Sequence, residues 1–328
     1  MERGTAGGRG TGRRLRRGAA AAAALLLVLG PAALPAAAAE HPERLFTIHD
    51  RRITESSGLA ASRAHPGVYW THNDSDDGPY VYAVDAEGRT LATVTLRGVK
   101  PRDAEAISLG PDGQLYLADI GDNLDGTWPE VWIYRFAEPA DLHDRTVDAV
   151  KYRVRYEDGP RNAEALMVHP VTGRAYIASK RQSGGGLYQG PERLSASGVN
   201  VFRRIADVPW VTDGAFSPDG TRLVLRGYFS ADLYAWQDGA PHLLRPLDVP
   251  FQRQGESVTF SADGAAVLYG SEGADSDVWR LALSSPSPSP GGPASSASPG
   301  GRAAPAPGAA RAGPGGGGGP TRSQFLYE

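Results

Sequence analysis

Apolar residues alternate with small or polar residues along most of the chain from residue 52 to residue 283, and short turns interrupt the alternation. In the stretch 103–123, Ile107 and Leu109 alternate with polar or small residues, Pro111-Asp112-Gly113 follows, and a second apolar run covers residues 115–117. Alternation at period two is typical of a half-buried strand, and Asp-Gly between two such runs favours a hairpin. The stretch therefore predicts two antiparallel strands, with acidic residues at both outer ends.

The same unit recurs along the chain. The residue that anchors its first strand is found again at spacings of about 44 to 59 residues, at Leu59, Ile107, Leu166, Gly214 and Val258. A turn, a second apolar strand and a third strand with an aromatic residue follow each anchor, and four units also show a fourth strand. Four short strands per unit are typical of a β-propeller. The sequence predicts an all-β fold, a β-propeller of five four-stranded, WD40-like blades.

The fifth unit lacks a fourth strand, because the chain becomes rich in Ser, Pro and Gly after Leu283. The segment Arg44 to Ile48 has the character of a strand and belongs to no unit of its own. We expect it to complete the last blade and to close the ring. Six blades are an alternative, since residues 137–161 could contain further strands, and an open β-sandwich is another.

Three segments follow from composition. Residues 1–39 have a basic start, an apolar run at 19–29 and small residues at 36–39, which is the pattern of a secretory signal peptide. An uncleaved membrane anchor is the alternative. Residues 40–283 form the predicted propeller domain, and residues 284–328 are a predicted disordered tail of Pro, Gly, Ser and Ala. We expect a secreted protein, either extracellular or associated with the cell surface.

Composition also excludes several classes. The chain has no Cys, which excludes disulfides, thiolate zinc sites and a thiol nucleophile. Residues 1–39 contain six arginines and one glutamate, so the remaining chain has a formal net charge of −8 rather than −3. Such an acidic chain is not expected to bind nucleic acid, which requires a basic face. No other apolar stretch is long enough to span a membrane, and we expect a monomer.

Two sets of residues should converge near the axis of such a ring. The first lies two residues before each anchor: Ser57, Glu105, Glu164, Thr212 and Glu256. The second lies at the end of each second strand: His72 to Asp74, Asp119, Ser179 with Lys180, Arg226, and Ser271 with Glu272. Facing glutamates raise one another's pKa or recruit a cation, and oxygen ligands favour Ca²⁺ over Mg²⁺. In the alternative, the acids accept backbone hydrogen bonds or pair with Arg226 and Lys180.

Three motifs carry a resemblance: ITESSGLAAS followed by YWTHNDSDDGPYVYAVDAEG, then DAEAISLGPDGQLYLADIGDN, and near the end QGESVTFSADG followed by YGSEG. Over residues 52–283 the chain resembles the exported bacterial propellers grouped as phytase-like or SdiA-regulated-like. The resemblance implies Ca²⁺ ions and phosphate bound above a central channel. It assigns the metal role to Glu105, Glu164, Glu256, Asp74 and Asp119, and the phosphate role to Lys180 and Arg226.

Two functions from different classes follow. The first is an exported binding or scaffold module for a small-molecule or protein ligand, with a cation at the central channel. The second is a Ca²⁺-dependent phosphoester hydrolase, in which a metal activates water and Lys180 and Arg226 hold the phosphoryl oxygens. His72 is the histidine at a converging position, and the candidate catalytic residues are therefore Lys180, Arg226 and His72.

Overall fold

The structure, a computed structural model, describes residues 41–74, 77–124 and 126–283, and these residues form strands, turns and loops without a helix. The predicted all-β fold is confirmed. The predicted signal peptide and tail lie outside the described residues. In the described part of the chain there is no helix long and apolar enough to cross a membrane.

The strands fall into five groups of consecutive elements. The first group is β2 (Ser56–Ala61), β3 (Val68–Asn73), β4 (Tyr80–Asp85) and β5 (Thr90–Leu96), and the second is β6 (Ala104–Leu109), β7 (Gln114–Asp119), β8 (Val131–Ala137) and β10 (Val150–Tyr156). The third is β11 (Ala163–Val168), β12 (Ala175–Ser179), β13 (Gly185–Gln189) and β14 (Val199–Val208), and the fourth is β15 (Asp213–Phe216), β16 (Arg222–Arg226), β17 (Ala231–Gln237) and β18 (Ala240–Leu247). The fifth is β19 (Gly255–Phe260), β20 (Ala266–Ser271) and β21 (Asp277–Ala282), joined by β1 (Glu43–Thr47).

Each group is an antiparallel meander, in which a tight turn joins the first strand to the second. In the second group Gly113 ends the Pro-Asp-Gly turn at φ 68°, a conformation that glycine adopts without steric cost. Gly67, Gly173, Gly220 and Gly264 have the same conformation in the other four turns. A glycine in the left-handed conformation therefore recurs in the turn between the first and second strands of all five groups.

Two strands in the long segment after β8 depart from the simple repeat. Residues Arg145–Val147 form β9, which pairs in parallel with β5 at the edge of the first group. Strand β10 pairs in parallel with β14, so that the second and third groups share one eight-stranded sheet. The segment thus extends existing sheets, and it forms no separate group among the described residues.

The N-terminal strand lies beside the last strand of the chain. Strand β1 pairs antiparallel with β21, with Glu43 opposite Arg280 and Thr47 opposite Asp277. Phe46 is buried in the same apolar cluster as Val278 and Leu268. The fifth group therefore takes its fourth strand from the opposite end of the chain.

The apolar core lies between neighbouring groups. Five buried clusters each combine residues of two groups, and representative pairs are Trp70 with Leu115, Ile133 with Ile177, Met167 with Leu223, Val224 with Val267, and Leu268 with Val84. The last cluster joins the fifth group back to the first. The packing therefore runs in a closed circle.

The first strands of the five groups lie on the inside of this circle. Each first strand contacts the first strands of the two neighbouring groups. Strand β2 contacts β6 and β19, β11 contacts β6 and β15, and β15 contacts β19. A cavity of 330 Å³ lies where these strands end, and residues of all five line it, including Leu59, Leu109, Val168, Phe216 and Phe260. The strand starts, at the opposite end, carry the polar residues described next.

Candidate metal centre

Carboxylates gather where the first strands begin and the second strands end. Because each pair of strands is antiparallel, these two positions lie side by side in every group. The residues brought to this end are Asp74, Asp103, Glu105, Glu164, Lys180, Glu256 and Glu272. This acidic end of the ring is the centre of the candidate site.

Three of these carboxylates form a cluster. Asp74, Asp103 and Glu105 each offer a ligand atom, and these atoms lie within 4.8 Å of one another. Asp103 and Glu105 are buried, and Asp74 is partly exposed. Hard cations such as Ca²⁺ bind oxygen ligands, and these three carboxylates would supply part of such a ligand set.

Gly121 shapes the cluster from the neighbouring loop. A Cβ atom at this position would lie 2.5 Å from Oδ2 of Asp103 and 2.5 Å from Oε1 of Glu105. The backbone N–H of Gly121 donates to the carbonyl of Asp103 at 3.1 Å. The two carboxylates thus meet over a residue without a side chain, and the loop after β7 holds them there.

The electrostatics of the cluster favour a positive charge. Burial raises the pKa of Asp103 to about 7, and Asp74 and Glu164 add to the effect. Burial also raises the pKa of Glu105, together with the charges of Glu164, Asp74 and Asp103. Carboxylates in this state bind either a proton or a cation, since neither burial nor neighbours of like charge favour the bare anion.

Glu164 and Lys180 form an ion pair beside the cluster. Nζ of Lys180 lies 2.9 Å from Oε2 of Glu164 and 5.1 Å from the centre of the Tyr228 ring. Burial opposes the charge of Lys180, but Glu164 and the Tyr228 hydroxyl outweigh it and raise the pKa of the ammonium group. Asn162 donates to the other oxygen of Glu164 at 3.3 Å. One fixed ammonium group therefore offsets part of the negative charge.

Glu256 and Glu272 add two further carboxylates to the acidic end. Glu256 is 1% exposed, and its Oε2 accepts no hydrogen bond in the described part of the chain. Burial raises the pKa of Glu256 to about 8, and Glu164 adds to this while Lys180 opposes it. The pKa of Glu272 rises to about 7 through burial and the charges of Asp74 and Glu55. The acidic end holds more carboxylates than its ammonium group can balance.

Arg226 is not part of this cluster. Its fully buried guanidinium donates to the carbonyls of Ser257 at 2.7 Å and Gly270 at 2.6 Å, and to Oε1 of Gln252 at 2.5 Å. Burial lowers its pKa to about 10. The side chain crosses from the fourth group to the fifth and holds the two together, so its donors are not directed at a phosphate.

Asp119 and His72 are also held in local structure. Asp119 is fully buried, and its Oδ1 accepts the backbone N–H groups of Arg102 and Asp103. His72 is buried, and its Nδ1 lies 2.9 Å from the carbonyl of Asn73. Burial lowers the pKa of His72 to about 4, which keeps the ring neutral. The structure thus brings Asp74 and Glu105 together and places Asp119 in a backbone-binding role.

The sequence did not assign a ligand role to Asp103. It marked Asp103 only as one acid at the outer end of the hairpin, because the residue lies just before β6 rather than at an equivalent position of the repeat. The predicted hairpin could have indicated this role, because the residues just before its first strand lie beside the end of its second strand. Side chains at such an end converge even when the repeat does not align them.

Comparisons with known proteins leave the family open. No model of a protein family matches the sequence, and no match was found among curated proteins. Among solved structures, the chain is similar to hydrazine synthase of Kuenenia stuttgartiensis, with 16% identity and a TM-score of 0.39. The alignment covers 68% of this chain and 58% of that one.

Proposed function

We propose that the protein is an exported β-propeller of five four-stranded blades, a binding or scaffold module that holds a cation at one end of its central channel. The five strand groups are the blades, and the closed circle of apolar clusters between them supports this architecture. In this proposal β1 completes the fifth blade through its pairing with β21 and closes the ring. The ligand is a small molecule or a protein bound at the acidic end, and the chain acts as a monomer.

The observation that carries the proposal is the cluster of Asp74, Asp103 and Glu105. Their ligand atoms lie within 4.8 Å of one another, and burial raises the pKa of Asp103 to about 7. The donors are carboxylate oxygens, and no Cys exists in the chain. Oxygen-only donors suit Ca²⁺, with Mg²⁺ as the weaker fit because it requires near-octahedral geometry.

Calorimetric titration with Ca²⁺ tests the proposal. We expect one ion per chain with a dissociation constant of roughly 10⁻⁴–10⁻³ M, the range of extracellular modules. Asp103→Asn should weaken binding at least tenfold, because it removes one charged ligand. Asp112→Asn is the matched control, since Asp112 lies in the turn at the other end of the same hairpin. Equal affinities for the two variants, or no heat with the natural chain, would contradict the proposal.

A second candidate is the phytase-like Ca²⁺-dependent phosphoester hydrolase. It is favoured by one observation, the ammonium group of Lys180 close to the carboxylate cluster, where it could hold a phosphoryl oxygen. Arg226 would not assist, because its side chain is fully buried and its terminal nitrogens donate to the carbonyls of Ser257 and Gly270 and to Gln252. Hydrolysis of a chromogenic phosphomonoester, measured with Ca²⁺ and with excess chelator, tests for this hydrolase activity. Turnover that the chelator abolishes and that Lys180→Met reduces would favour this function, and absence of turnover would exclude it.

A further inference from the structure

A second polar site lies at the other end of the third strand group. Two adjoining cavities of 470 Å³ each open there, and they share Arg174, Gln189 and Arg193 in their linings. Arg174 precedes β12 and Gln189 ends β13, so the groove lies at the end of this group away from Lys180. It is therefore a separate site from the acidic end.

Three arginines give the groove a positive charge within an acidic protein. Arg174, Arg193 and Arg203 line it, and Glu192 is the acid among its lining residues. Nη2 of Arg174 lies 3.6 Å from Oε1 of Glu192, whose side chain is 90% exposed. Neither Arg193 nor Arg203 forms an ion pair with a described residue, and both side chains are exposed. Two guanidinium groups thus remain available for an anion.

One wall of the groove is aromatic. Tyr176, Trp236 and His169 line it, and the ring centres of Tyr176 and Trp236 lie 4.9 Å apart at 77°. The Trp236 ring is fixed further by Phe216, whose centre lies 4.9 Å away. Tyr176 is buried and supports the ring of Trp236, which is partly exposed and against which the C–H face of a sugar ring can pack.

The loop that carries Arg193 is held in place. Asn200 accepts the backbone N–H of Ser195 at 2.7 Å and donates to the carbonyls of Ser195 and Arg153, both at 3.0 Å. Asn200 is buried, so these bonds are shielded from water. Arg193 therefore stands on a loop that is ordered before any ligand arrives, and Arg203 stands on β14, which lowers the entropy cost of binding.

The geometry points to a binding site for an acidic oligosaccharide, with carboxylates of the sugar on Arg174, Arg193 and Arg203 and a sugar ring against Trp236. A planar guanidinium binds a carboxylate with two parallel hydrogen bonds, which fits uronate groups. Two joined cavities follow a chain of several rings better than a single small anion. This inference goes beyond the cation proposed at the acidic end and does not depend on it.

Titration with tetragalacturonate tests the site, and its fully methyl-esterified form is the matched neutral probe. We expect the acid to bind at least tenfold more tightly than the ester, and the affinity to fall as salt is added. Arg193→Ala should weaken binding of the acid about tenfold. Arg51→Ala, which removes an exposed arginine between β1 and β2, should leave it unchanged.

Further measurements separate the alternatives. Trp236→Phe keeps an aromatic ring in the cluster and should weaken binding of the acid about threefold, and far-ultraviolet circular dichroism shows whether each variant is folded. Equal binding of acid and ester, binding of inorganic phosphate as tight as that of the acid, or no binding of the acid would each overturn the inference. Asp103→Asn should leave this titration unchanged, so failure of the cation site and failure of the oligosaccharide site are distinguishable.

Discussion

Gly121 is the residue on which the carboxylate cluster depends most directly. A methyl group there would lie 2.5 Å from oxygens of Asp103 and Glu105, closer than any carbon–oxygen contact allows. We expect Gly121→Ala to separate the two carboxylates, to reduce Ca²⁺ affinity at least tenfold and to cost about 1–3 kcal/mol of stability. Calorimetry and urea denaturation measure the two effects.

Gly198→Ala provides the control for this change. The nearest atom to a Cβ at Gly198 is Oγ of Ser195 at 3.7 Å, an ordinary contact, so neither Ca²⁺ affinity nor stability should change appreciably. If Gly121→Ala behaves in the same way, the two carboxylates do not form the site.

Arg226 is expected to stabilise the contact between the fourth and fifth groups. Removing its guanidinium leaves the buried carbonyls of Ser257 and Gly270 without their donor. We expect Arg226→Met to lower the free energy of unfolding by roughly 3–5 kcal/mol, measured in urea. Arg51→Ala should change it by less than about 0.5 kcal/mol. A small effect of both changes would show that the contact between the fourth and fifth groups does not depend on Arg226.

The two basic candidates show what the sequence can and cannot supply at the level of single residues. Lys180 and Arg226 both lie near the end of a second strand, and the sequence therefore treats them alike. In the structure Arg226 is the last residue of β16, whereas Lys180 follows the last residue of β12. In the structure Lys180 reaches the carboxylates, while Arg226 turns into the interface with the fifth group. The sequence alone does not fix the register of the two strands, in which Arg226 lies one residue after the partner of Gly214 and Lys180 lies three residues after the partner of Leu166.

Strand β1 contributes a buried apolar side chain, Phe46, to the packing of the fifth group. Phe46 is 6% exposed and packs on the fifth group, whereas its neighbour Leu45 is 38% exposed. We expect Phe46→Ala to lower the free energy of unfolding by about 3–5 kcal/mol and Leu45→Ala to lower it by less than 1. Urea denaturation measures both. Equal, small effects would mean that β1 contributes little to the fold.

Elements differ in how far the sequence predicts them. Alternation and Gly-containing turns are local signals, so the hairpins with Gly113 and Gly264 could be placed from the sequence. The three-residue β9 and the parallel pairing of β10 with β14 could not, because they depend on partners about 50 residues away. The alternation within β10 predicts a strand, but it does not indicate that β14 is a partner.

The surplus of carboxylates makes the stability of the folded protein depend on pH. The pKa of Glu256 is about 8 and that of Glu272 about 7, both above the ordinary value of 4.5. The folded protein therefore holds these protons more tightly than the unfolded chain does, and its stability falls as pH rises from about 5 to about 8. Without metal, we expect the melting temperature to fall over this range by roughly 2–4 °C for each kcal/mol lost.

Ca²⁺ should oppose this loss. Calcium ions compete with protons for carboxylates, so the melting temperature gained on adding Ca²⁺ should be larger at pH 8 than at pH 5.5. Differential scanning calorimetry at the two pH values, with Ca²⁺ and with excess chelator, measures it. A metal-free protein that becomes more stable as pH rises through this window would contradict the raised pKa values.

The antiparallel pairing of β1 with β21 has a consequence for the way the molecule is handled. Glu43 lies opposite Arg280, and β21 ends beside the start of β20, away from Ser271 and the carboxylates. An affinity tag or a surface linker attached before residue 43 or after residue 283 would therefore emerge on the side remote from the acidic residues. A sensor chip coated through either attachment would present those residues to the flowing solution.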